Sequence, residues 1–251
     1  MSSESRPTGS LQSLTRALAV LGCFRSGEEL GVSEVARRQG LAVSTTHRLL
    51  AALVETGFLD RVEATSRYRL GGALAEYGQI AYRQHRIHLA EPHLEELATI
   101  TGASASIATR HGNDAVLLGT SRWREADGND LQGLRLPLHA SALGKVLLAW
   151  APTTDDELAR LPYETGTARS VPGPAELGKE LALTRERGYA FNDEELEHGF
   201  RTIGVPICGD ADRVRFALGL RGPVDLMIDQ RIPFLVDLAK VTAGEISAVL
   251  G

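Results

Sequence analysis

Two short groups of polar residues have types and spacings that could support catalysis or bind a metal ion. Ser141 and Lys145 are four residues apart, whereas the Ser-Lys hydrolase motif needs a separation of three. Glu195 and His198 have the Glu-x-x-His spacing of di-iron helices, but those sites need a second such pair and additional acids. No P-loop or dinucleotide-binding glycine pattern occurs either. The sequence therefore predicts no catalytic residue and no cofactor, and leaves open a single metal ion near Glu194, Glu195 and His198.

A third group, in the stretch SEVARRQGLAVSTTHRLLAALVETGFL at 33–59, has the chemistry of nucleic-acid recognition. A helix through this stretch brings one apolar side together from Thr46, Leu49, Leu50 and Leu53. The other side carries short hydroxyl and basic side chains near the helix start, at Ser44, Thr45, His47 and Arg48. Such side chains can approach base edges in the major groove, where the first turns of a recognition helix lie. We predict that these four residues contact bases.

Two preceding helices are predicted to support this one. A leucine repeat at helical spacing predicts a first helix, with Ser10 as a possible N-cap; its members are Leu11, Leu14, Leu18 and Leu21. Ser33 is predicted to cap a second, short helix that ends at Gly40. The third helix is expected to run from Ser44 or Thr45 to Thr56.

The segments FLDRVEA and SRYRLG follow the third helix and alternate in polarity around a small polar turn, which predicts a β-hairpin. Three helices followed by a hairpin form a winged helix-turn-helix. Arginines on the second helix and the hairpin are predicted to pair with phosphates; they are Arg37, Arg38, Arg61, Arg67 and Arg69. Spacing alone would also fit an ordinary corner between two helices, and the hairpin and the arginines favour DNA binding.

The distribution of charge agrees with this interpretation. The chain of 251 residues has a net charge of −5, but residues 1–90 hold eleven Arg and no Lys against eight acidic residues, leaving the remainder strongly acidic. Hydrophobic residues make up 43% and charged residues 24%, which are ordinary globular values. No apolar run could span a bilayer and the start, MSSESRPTGS, has no apolar core for a signal peptide. We expect a cytoplasmic protein without a membrane partner.

The rest of the chain predicts an α+β domain. The segments SASIATRHGNDAVLLGTSRW, GFRTIGVPI and RVRFALGLRG are typical of antiparallel strands, and helical patterns lie before, between and after them. Such a sheet commonly holds a small ligand between one face and its covering helices. The predicted organisation is a flexible tail at 1–9, the DNA-binding domain at 10–71, a linker helix at 72–90 and an effector-binding domain at 91–251.

Several stretches resemble the isocitrate lyase regulator (IclR) family of bacterial transcription factors over nearly the whole chain from Leu11 to Gly251. They are TRALAVLGCF, STTHRLLAALVETGFL, YRLG, LPLHASALGKVLLA, ERGYAFNDEELEHGF and VPI with ALGLRGP. The resemblance implies a winged helix-turn-helix, a linker helix that helps dimerisation and a GAF-like α/β sandwich that binds an effector. It also implies palindromic double-stranded DNA operators, a homodimer or a homotetramer, and small metabolites that often carry a carboxylate.

The family's effector pocket, carried over position by position, would involve Ala142, Leu143, Asn192, Phe200, Thr202, Gly219 and Arg221. The sequence departs from the glyoxylate-responsive pattern: Asn192 replaces an acid, Thr202 replaces Cys and Arg221 replaces a small hydroxyl residue. A different ligand is therefore expected. Because Arg can bind a carboxylate with two hydrogen bonds, we predict an anionic effector, an organic acid. A solvated Arg221 at the end of a strand is the competing interpretation.

These observations predict a ligand-responsive, sequence-specific DNA-binding transcriptional regulator, a repressor controlled by a small anionic metabolite, and not an enzyme. Two alternatives from other classes are a metabolic enzyme with an accessory winged-helix domain and a sensor whose first domain binds protein. The sequence leaves open the operator, the effector, the sign of regulation and the choice between dimer and tetramer.

Overall fold

The computed structural model describes residues 9–121, 133–163, 166–209 and 213–251. Contacts divide the chain between Ala81 and Tyr82 into two compact units. The first unit is built around one apolar core and the second around two, one on each face of its sheet. No helix among the described residues is long and apolar enough to cross a membrane.

The first unit begins with three helices, α1 (Gly9–Gly22), α2 (Val32–Gln39) and α3 (Val43–Glu55). The sequence placed two of the caps wrongly, since Ser10 lies inside α1 and Ser33 lies inside α2. The N-cap of α2 is Gly31, whose N–H donates to Oε2 of Glu34 at 2.7 Å. This bond is the half of a capping box in which the side chain at the third helical position accepts from the N-cap N–H, and the carboxylate charge suits the positive end of the helix dipole.

The prediction of a winged helix-turn-helix is confirmed. Strands β1 (Leu59–Val62) and β2 (Arg67–Leu70) pair antiparallel, and Gly40 ends α2 in the left-handed conformation, with φ of +62°. The core contains Val20, Phe24, Leu30, Leu50 and Leu59. The leucine repeat of α1 predicted the helix correctly, but its members Leu11, Leu14 and Leu18 are exposed.

The linker helix is shorter than predicted. Helix α4 spans Gly72–Gln84, and Arg86 then adopts a left-handed conformation with φ of +59° before a short 3-10 turn at Ile87–Leu89. A non-glycine residue at positive φ cannot continue an α-helix. The single helix expected over 72–90 is therefore two elements.

The second unit contains a six-stranded antiparallel sheet with the order β5-β4-β3-β8-β7-β6. Its strands are β3 (Ser104–His111), β4 (Asp114–Thr120), β5 (Arg135–Pro137), β6 (Ala190–Asp193), β7 (Phe200–Cys208) and β8 (Val214–Pro223). The predicted α+β class and the antiparallel pairing are confirmed, whereas β6 was not predicted. The loop expected at READGNDLQG lies almost wholly outside the described residues, and so does part of the turn CGDADR.

Helices cover both faces of this sheet. Helices α5 (Glu91–Thr101) and α9 (Ile232–Leu250) bury one face, and the other packs against α6 (Ala142–Ala149), α7 (Asp155–Ala159) and α8 (Pro174–Arg187). Strand residues alternate between the two cores: Ile203, Val205 and Leu218 belong to the first, while Ala190 and Ala217 belong to the second. This alternation follows from the two-residue period of a strand.

Two glycines allow the start of α6 to lie directly on β7 and β8. A Cβ atom on Gly204 would be 2.7 Å from the carbonyl oxygen of Ala142. One on Gly219 would be 3.0 Å from Cδ2 of Leu143 and from Oγ of Ser106. The absence of side chains at these two positions therefore sets how closely the helix approaches the sheet.

We expect Gly204→Ala to lower the free energy of unfolding of the second unit by about 1–3 kcal/mol, because the added methyl group forces the α6 backbone away from β7. Gly178→Ala is the matched control. Gly178 lies inside α8, and a Cβ atom there would meet no described atom within 4 Å apart from its chain neighbours and the adjacent backbone of its own helix, so alanine should raise stability by up to about 1 kcal/mol. Urea unfolding followed by tryptophan fluorescence measures both effects, since both tryptophans follow residue 82. Equal effects of the two substitutions would contradict the close contact.

Candidate DNA-binding surface and effector cavity

The first two turns of α3 present the predicted base-contacting residues to solvent. Ser44, His47 and Arg48 are exposed and Thr45 is half-buried. Thr46 is fully buried, and its hydroxyl donates to the carbonyl of Ala42 at 3.1 Å. The buried side of the helix fixes the orientation of the exposed side, because α3 cannot rotate without exposing its core residues.

The five predicted phosphate-contacting arginines differ in availability. Among the described residues, the Arg37 side chain forms no hydrogen bond or ion pair, and Arg61 has only a 3.5 Å contact with Ser66. Arg38 donates to the Cys23 carbonyl at 3.1 Å and to the Glu28 carboxylate at 3.2 Å. Arg37 and Arg61 can reach a phosphate with little rearrangement, and Arg38 can do so by leaving a partly exposed ion pair.

Arg67 on the wing is more firmly tied into the fold than these three residues. Arg67 donates to the Glu29 carbonyl and to the Glu34 carboxylate, both at 2.7 Å through Nη2. The Gly31 N–H and then Arg67 hold the pKa of the Glu34 carboxyl below its usual value. Arg69 lies 3.8 Å from Asp60. The geometry therefore gives Arg67 a role in joining the wing to α2.

The second unit contains a cavity of about 190 Å³ between the start of α6 and the face of the sheet that packs against it. Of the seven residues expected to bind the effector, five line this cavity: Ala142, Leu143, Asn192, Thr202 and Arg221. Leucines from β4, β5 and α6 give it an apolar wall. Most of the residues predicted from the family resemblance therefore line one cavity.

The other two predicted residues, Phe200 and Gly219, do not line the cavity but contact residues that do. The ring of Phe200 supports Arg221, whose Cζ lies 3.9 Å from the ring centroid. Gly219 makes room for Leu143 and Ser106. Both residues shape the cavity without lining it.

Sequence reasoning missed several lining residues, among them Ser104, Ser106, Ser141 and Glu197. Ser104 and Ser106 alternate along β3 with Ala105 and Ile107, which are buried in the opposite core. The two-residue period of a strand could have placed the two serines on the cavity face. No local signal identifies Glu197, since it lies in the loop between β6 and β7.

Two positive features face this cavity. Arg221 lines it and forms an ion pair with Glu197, with Nη2 2.6 Å from Oε2. The first two N–H groups of α6, on Ala142 and Leu143, have no hydrogen-bond acceptor among the described residues. A helix N-terminus carries partial positive charge and free donors, so it can accept an anion.

Asn192 connects the loop after β6 to the start of α6. Its Nδ2 donates to the Ala140 carbonyl, and its Oδ1 accepts from the Glu195 N–H at 3.1 Å. Both hydrogen-bonding ends of the amide are therefore in use. Asn192 lines the cavity while it holds the backbone on either side of it.

A buried ion pair fixes the same loop. Lys145, only 1% exposed, places Nζ 2.5 Å from Oε1 of Glu195 and 3.9 Å from Glu180. Oε2 of Glu195 is buried without a hydrogen-bond partner among the described residues. Burial raises the pKa of Glu195, and Lys145 opposes this shift. Lys145 is used in this ion pair and Ser141 in capping α6, so both residues have structural roles.

The open question of a metal near Glu194, Glu195 and His198 gains no geometric support. His198 is largely exposed and its Nδ1 is 4.0 Å from Glu194. Glu194 binds Arg169 at 2.6 Å and accepts from the Gly199 N–H at 2.8 Å. Within the described ranges, no three His, Cys, Asp or Glu side chains are grouped so that they could hold a metal ion.

A winged helix-turn-helix and a separate unit with a cavity for a small ligand, both in one chain, are typical of one-component transcriptional regulators. Comparison with known families agrees: the bacterial transcriptional regulator IclR C-terminal domain matches residues 79–248, and the IclR helix-turn-helix domain matches residues 13–63. The chain belongs to the IclR family of bacterial transcriptional regulators. It is a DNA-binding regulator with an effector-binding domain, and not an enzyme.

Individual relatives agree over nearly the full length. The transcriptional repressor AllR of Salmonella typhimurium is 33% identical over 248 residues, which cover 96% of this chain and 90% of AllR. The glycerol operon regulatory protein of Streptomyces coelicolor is 34% identical over 250 residues, covering 96% and 97%. A crystal structure of an IclR homologue from Microbacterium hydrocarbonoxydans complexed with 4-hydroxybenzoate is similar with a TM-score of 0.79 at 28% identity, covering 95% and 98%.

We expect Lys145→Met to lower the free energy of unfolding by about 3–5 kcal/mol, because it leaves the Glu195 carboxylate buried and without a counter-charge. The double variant Lys145→Met with Glu195→Leu should recover most of this loss, since it removes both charges. Urea unfolding of the three proteins measures these differences. A double variant as unstable as the single one would show that the charge pair is not the cause.

The loss in Lys145→Met should depend on pH in a defined direction. Without Lys145, burial and the nearby Glu180 and Asp193 carboxylates all raise the pKa of Glu195 above its ordinary value of 4.5. A folded-state pKa above the unfolded value means that the folded protein binds the proton first, so stability rises as pH falls. The deficit relative to the unmodified protein should therefore be largest near pH 8 and smaller at about pH 5. A deficit independent of pH over this range would contradict the assignment.

Proposed function

We propose that this protein is a repressor that binds a palindromic operator as a homodimer or homotetramer and is controlled by a small organic acid. The acid binds in the cavity between α6 and the sheet of the second unit. The observation that carries the proposal is Arg221 in the wall of a cavity that also receives the N-terminus of a helix. The repressor name of AllR supports the sign of regulation.

In the DNA-binding half, Ser44, Thr45, His47 and Arg48 contact base edges in the major groove. Arg37, Arg38 and Arg61 contact phosphates, as do Arg69 and, more weakly, Arg67, which also holds the wing. Two observations support these roles: the α3 surface is exposed, and the Arg37 side chain has no partner in the part of the chain that the structure describes. Two copies of α3 in a dimer would reach successive half-sites of the operator.

In the effector-binding half, Arg221 and the α6 N-terminus bind the carboxylate, and the leucines enclose the body of the ligand. The cavity of about 190 Å³ is smaller than the roughly 300–1,000 Å³ of pockets for drug-sized ligands, which favours a small metabolite. The Microbacterium hydrocarbonoxydans homologue, whose structure contains 4-hydroxybenzoate, supports a compact acid.

The acid regulates DNA binding only if it binds one conformation of the protein more tightly than the other. Its differential affinity then shifts the population between states that bind the operator and states that do not. By the same linkage, operator DNA must weaken the binding of an acid that releases the protein from DNA.

We expect Arg48→Ala to weaken binding to the cognate operator by about 1–3 kcal/mol, because a bidentate contact with a guanine is lost, with little effect on random DNA. Arg37→Ala is the matched comparison. It should weaken binding to both DNAs alike and reduce the slope of log affinity against log salt by about 1, because it removes a phosphate contact. Fluorescence anisotropy with an operator obtained by sequencing retained genomic fragments measures both. Equal losses on both DNAs for Arg48→Ala would exclude base contact, and a flat salt dependence would favour a protein-binding first domain.

We expect Arg221→Met to weaken the binding of 4-hydroxybenzoate, used as the probe acid, by about 10- to 100-fold, because a charge-assisted hydrogen bond is lost. Operator binding without the acid should not change. Arg215→Met on the same strand is the control, since Arg215 is exposed and lies outside the cavity. Calorimetry and acid-dependent operator release measure the two effects. An unchanged dose response in Arg221→Met would remove Arg221 from the site.

A further inference from the structure

The guanidinium group of Arg221 already binds a carboxylate that belongs to the protein itself. Glu197 and Arg221 both line the cavity, and their ion pair of 2.6 Å joins the loop between β6 and β7 to strand β8. An acidic effector that uses Arg221 therefore meets a site where another carboxylate is bound. Binding of the acid to Arg221 therefore requires an exchange of partners and is not a simple addition of a ligand to an open site.

The two members of the pair differ in how freely they can move. The Arg221 side chain is 24% exposed and lies over the ring of Phe200, and its backbone is paired on both sides, with Ser104 and Thr202. The Glu197 side chain is 58% exposed. Turning Glu197 into water costs little, because it is already largely hydrated, whereas moving Arg221 would lose the cation–π contact. Glu197 is the partner that leaves.

The backbone of the loop is held in place while this happens. The carbonyl of Glu195 accepts from the Thr167 N–H at 2.8 Å and from the Ser170 hydroxyl at 2.5 Å. The carbonyl of Glu194 accepts from the Thr167 hydroxyl at 2.8 Å. These bonds, together with the buried pair of Lys145 and Glu195, anchor the residues before Glu197. The exchange therefore needs a rotation of one side chain and no opening of the loop.

We propose that Glu197 is an internal competitor for the carboxylate of the effector and thereby sets both the threshold and the selectivity of the cavity. This inference rests on the proposed binding of an acid at Arg221. Before an effector binds, the Glu197 carboxylate neutralises Arg221. The effector replaces it with its own carboxylate, and Glu197 turns to solvent.

The exchange explains which ligands can bind. Replacing one carboxylate by another on the same guanidinium is nearly neutral in free energy, so the net affinity comes from the body of the ligand against the leucine wall. A small anion without an apolar body gains too little to displace Glu197. A neutral ligand of the same shape cannot replace the charge on Arg221, so it leaves the ion pair in place and loses the polar contact.

The test is Glu197→Gln, which keeps the size of the side chain and removes its charge. We expect this variant to bind 4-hydroxybenzoate about two- to fivefold more tightly than the unmodified protein, the fold-change that corresponds to a partly exposed ion pair. Binding of the neutral isostere 4-hydroxybenzamide should not strengthen. Glu96→Gln is the matched control, since Glu96 is exposed on α5, which packs on the opposite face of the sheet. Titration calorimetry at low salt measures all three proteins.

Repeating the substitution in the Arg221→Met background distinguishes competition for Arg221 from a purely structural role of Glu197. There, Glu197→Gln should strengthen binding of the acid much less than it does beside Arg221, because only the repulsion between two carboxylates is relieved and no guanidinium is contested. An equal gain in both backgrounds would overturn the proposal, as would equal affinity of Glu197→Gln and the unmodified protein. It would also be overturned if Glu197→Gln bound no acid at millimolar concentration.

The outcomes distinguish this inference from the proposed function. If the acid releases the operator and Arg221→Met abolishes that release, but Glu197→Gln leaves the affinity unchanged, the internal competitor is wrong and the acid-controlled regulator stands. If Glu197→Gln binds the acid more tightly but no acid releases the operator from either protein, the competitor is supported and acid control of DNA binding fails.

Discussion

The close contact between the start of α6 and strands β7 and β8 is the constraint on which the effector-binding unit depends. Gly204 and Gly219 remove two side chains from the face of the sheet, and the backbone of Ala142 fills the space beside one of them. Because the helix begins so close to the strands, its first residues line the adjoining cavity together with residues from β3 and β8. A larger residue at either glycine would increase this separation and change the shape of the cavity.

The buried charges of Lys145 and Glu195 help to hold the start of α6 and the loop after β6 in place. A buried ion pair contributes little net stability, because desolvation of the two groups offsets their attraction, but breaking it is costly. Lys145 on α6 and Glu195 on the following loop are therefore held as a unit, and Asn192 adds hydrogen bonds to both sides. These contacts fix the loop that carries Glu197. In the proposed exchange, the partly exposed pair of Glu197 and Arg221 responds to a ligand while the framework behind it stays unchanged.

In the first unit, one ion pair joins two elements while another arginine stays available. Arg67 and Glu34 join the wing to α2, and Glu34 also caps that helix, so one carboxylate organises two elements. Arg37, which has no such partner within the described ranges, remains available for DNA. In the proposed function, one unit thus holds a fixed surface for base contacts and the other holds an exchangeable ion pair, and the ligand connects them through its preference for one conformation of the whole protein.

Local patterns in the sequence were enough to specify the class of fold and the face of α3 that meets solvent. Helical and strand periods follow from side-chain spacing along one element, and the glycines and capping residues mark where elements end. That is why the winged helix-turn-helix, the antiparallel hairpins and the closing helix were predictable, and why motif similarity brought five of seven proposed ligand contacts to one cavity. The errors were also local: Ser33 looked like a cap, and the residues at 84–86 gave no signal that the linker helix would end.

Which charges meet depends instead on how the elements pack. Arg221 reaches Glu197 across 24 positions of sequence, Lys145 reaches Glu195 across 50, and Arg67 reaches Glu34 across 33. No periodic pattern encodes such pairs, because strand order and helix packing bring the residues together after each element is already specified. The sequence indicated that an arginine was present for an acid to bind, but the folded chain was needed to show that a carboxylate of its own already occupies it.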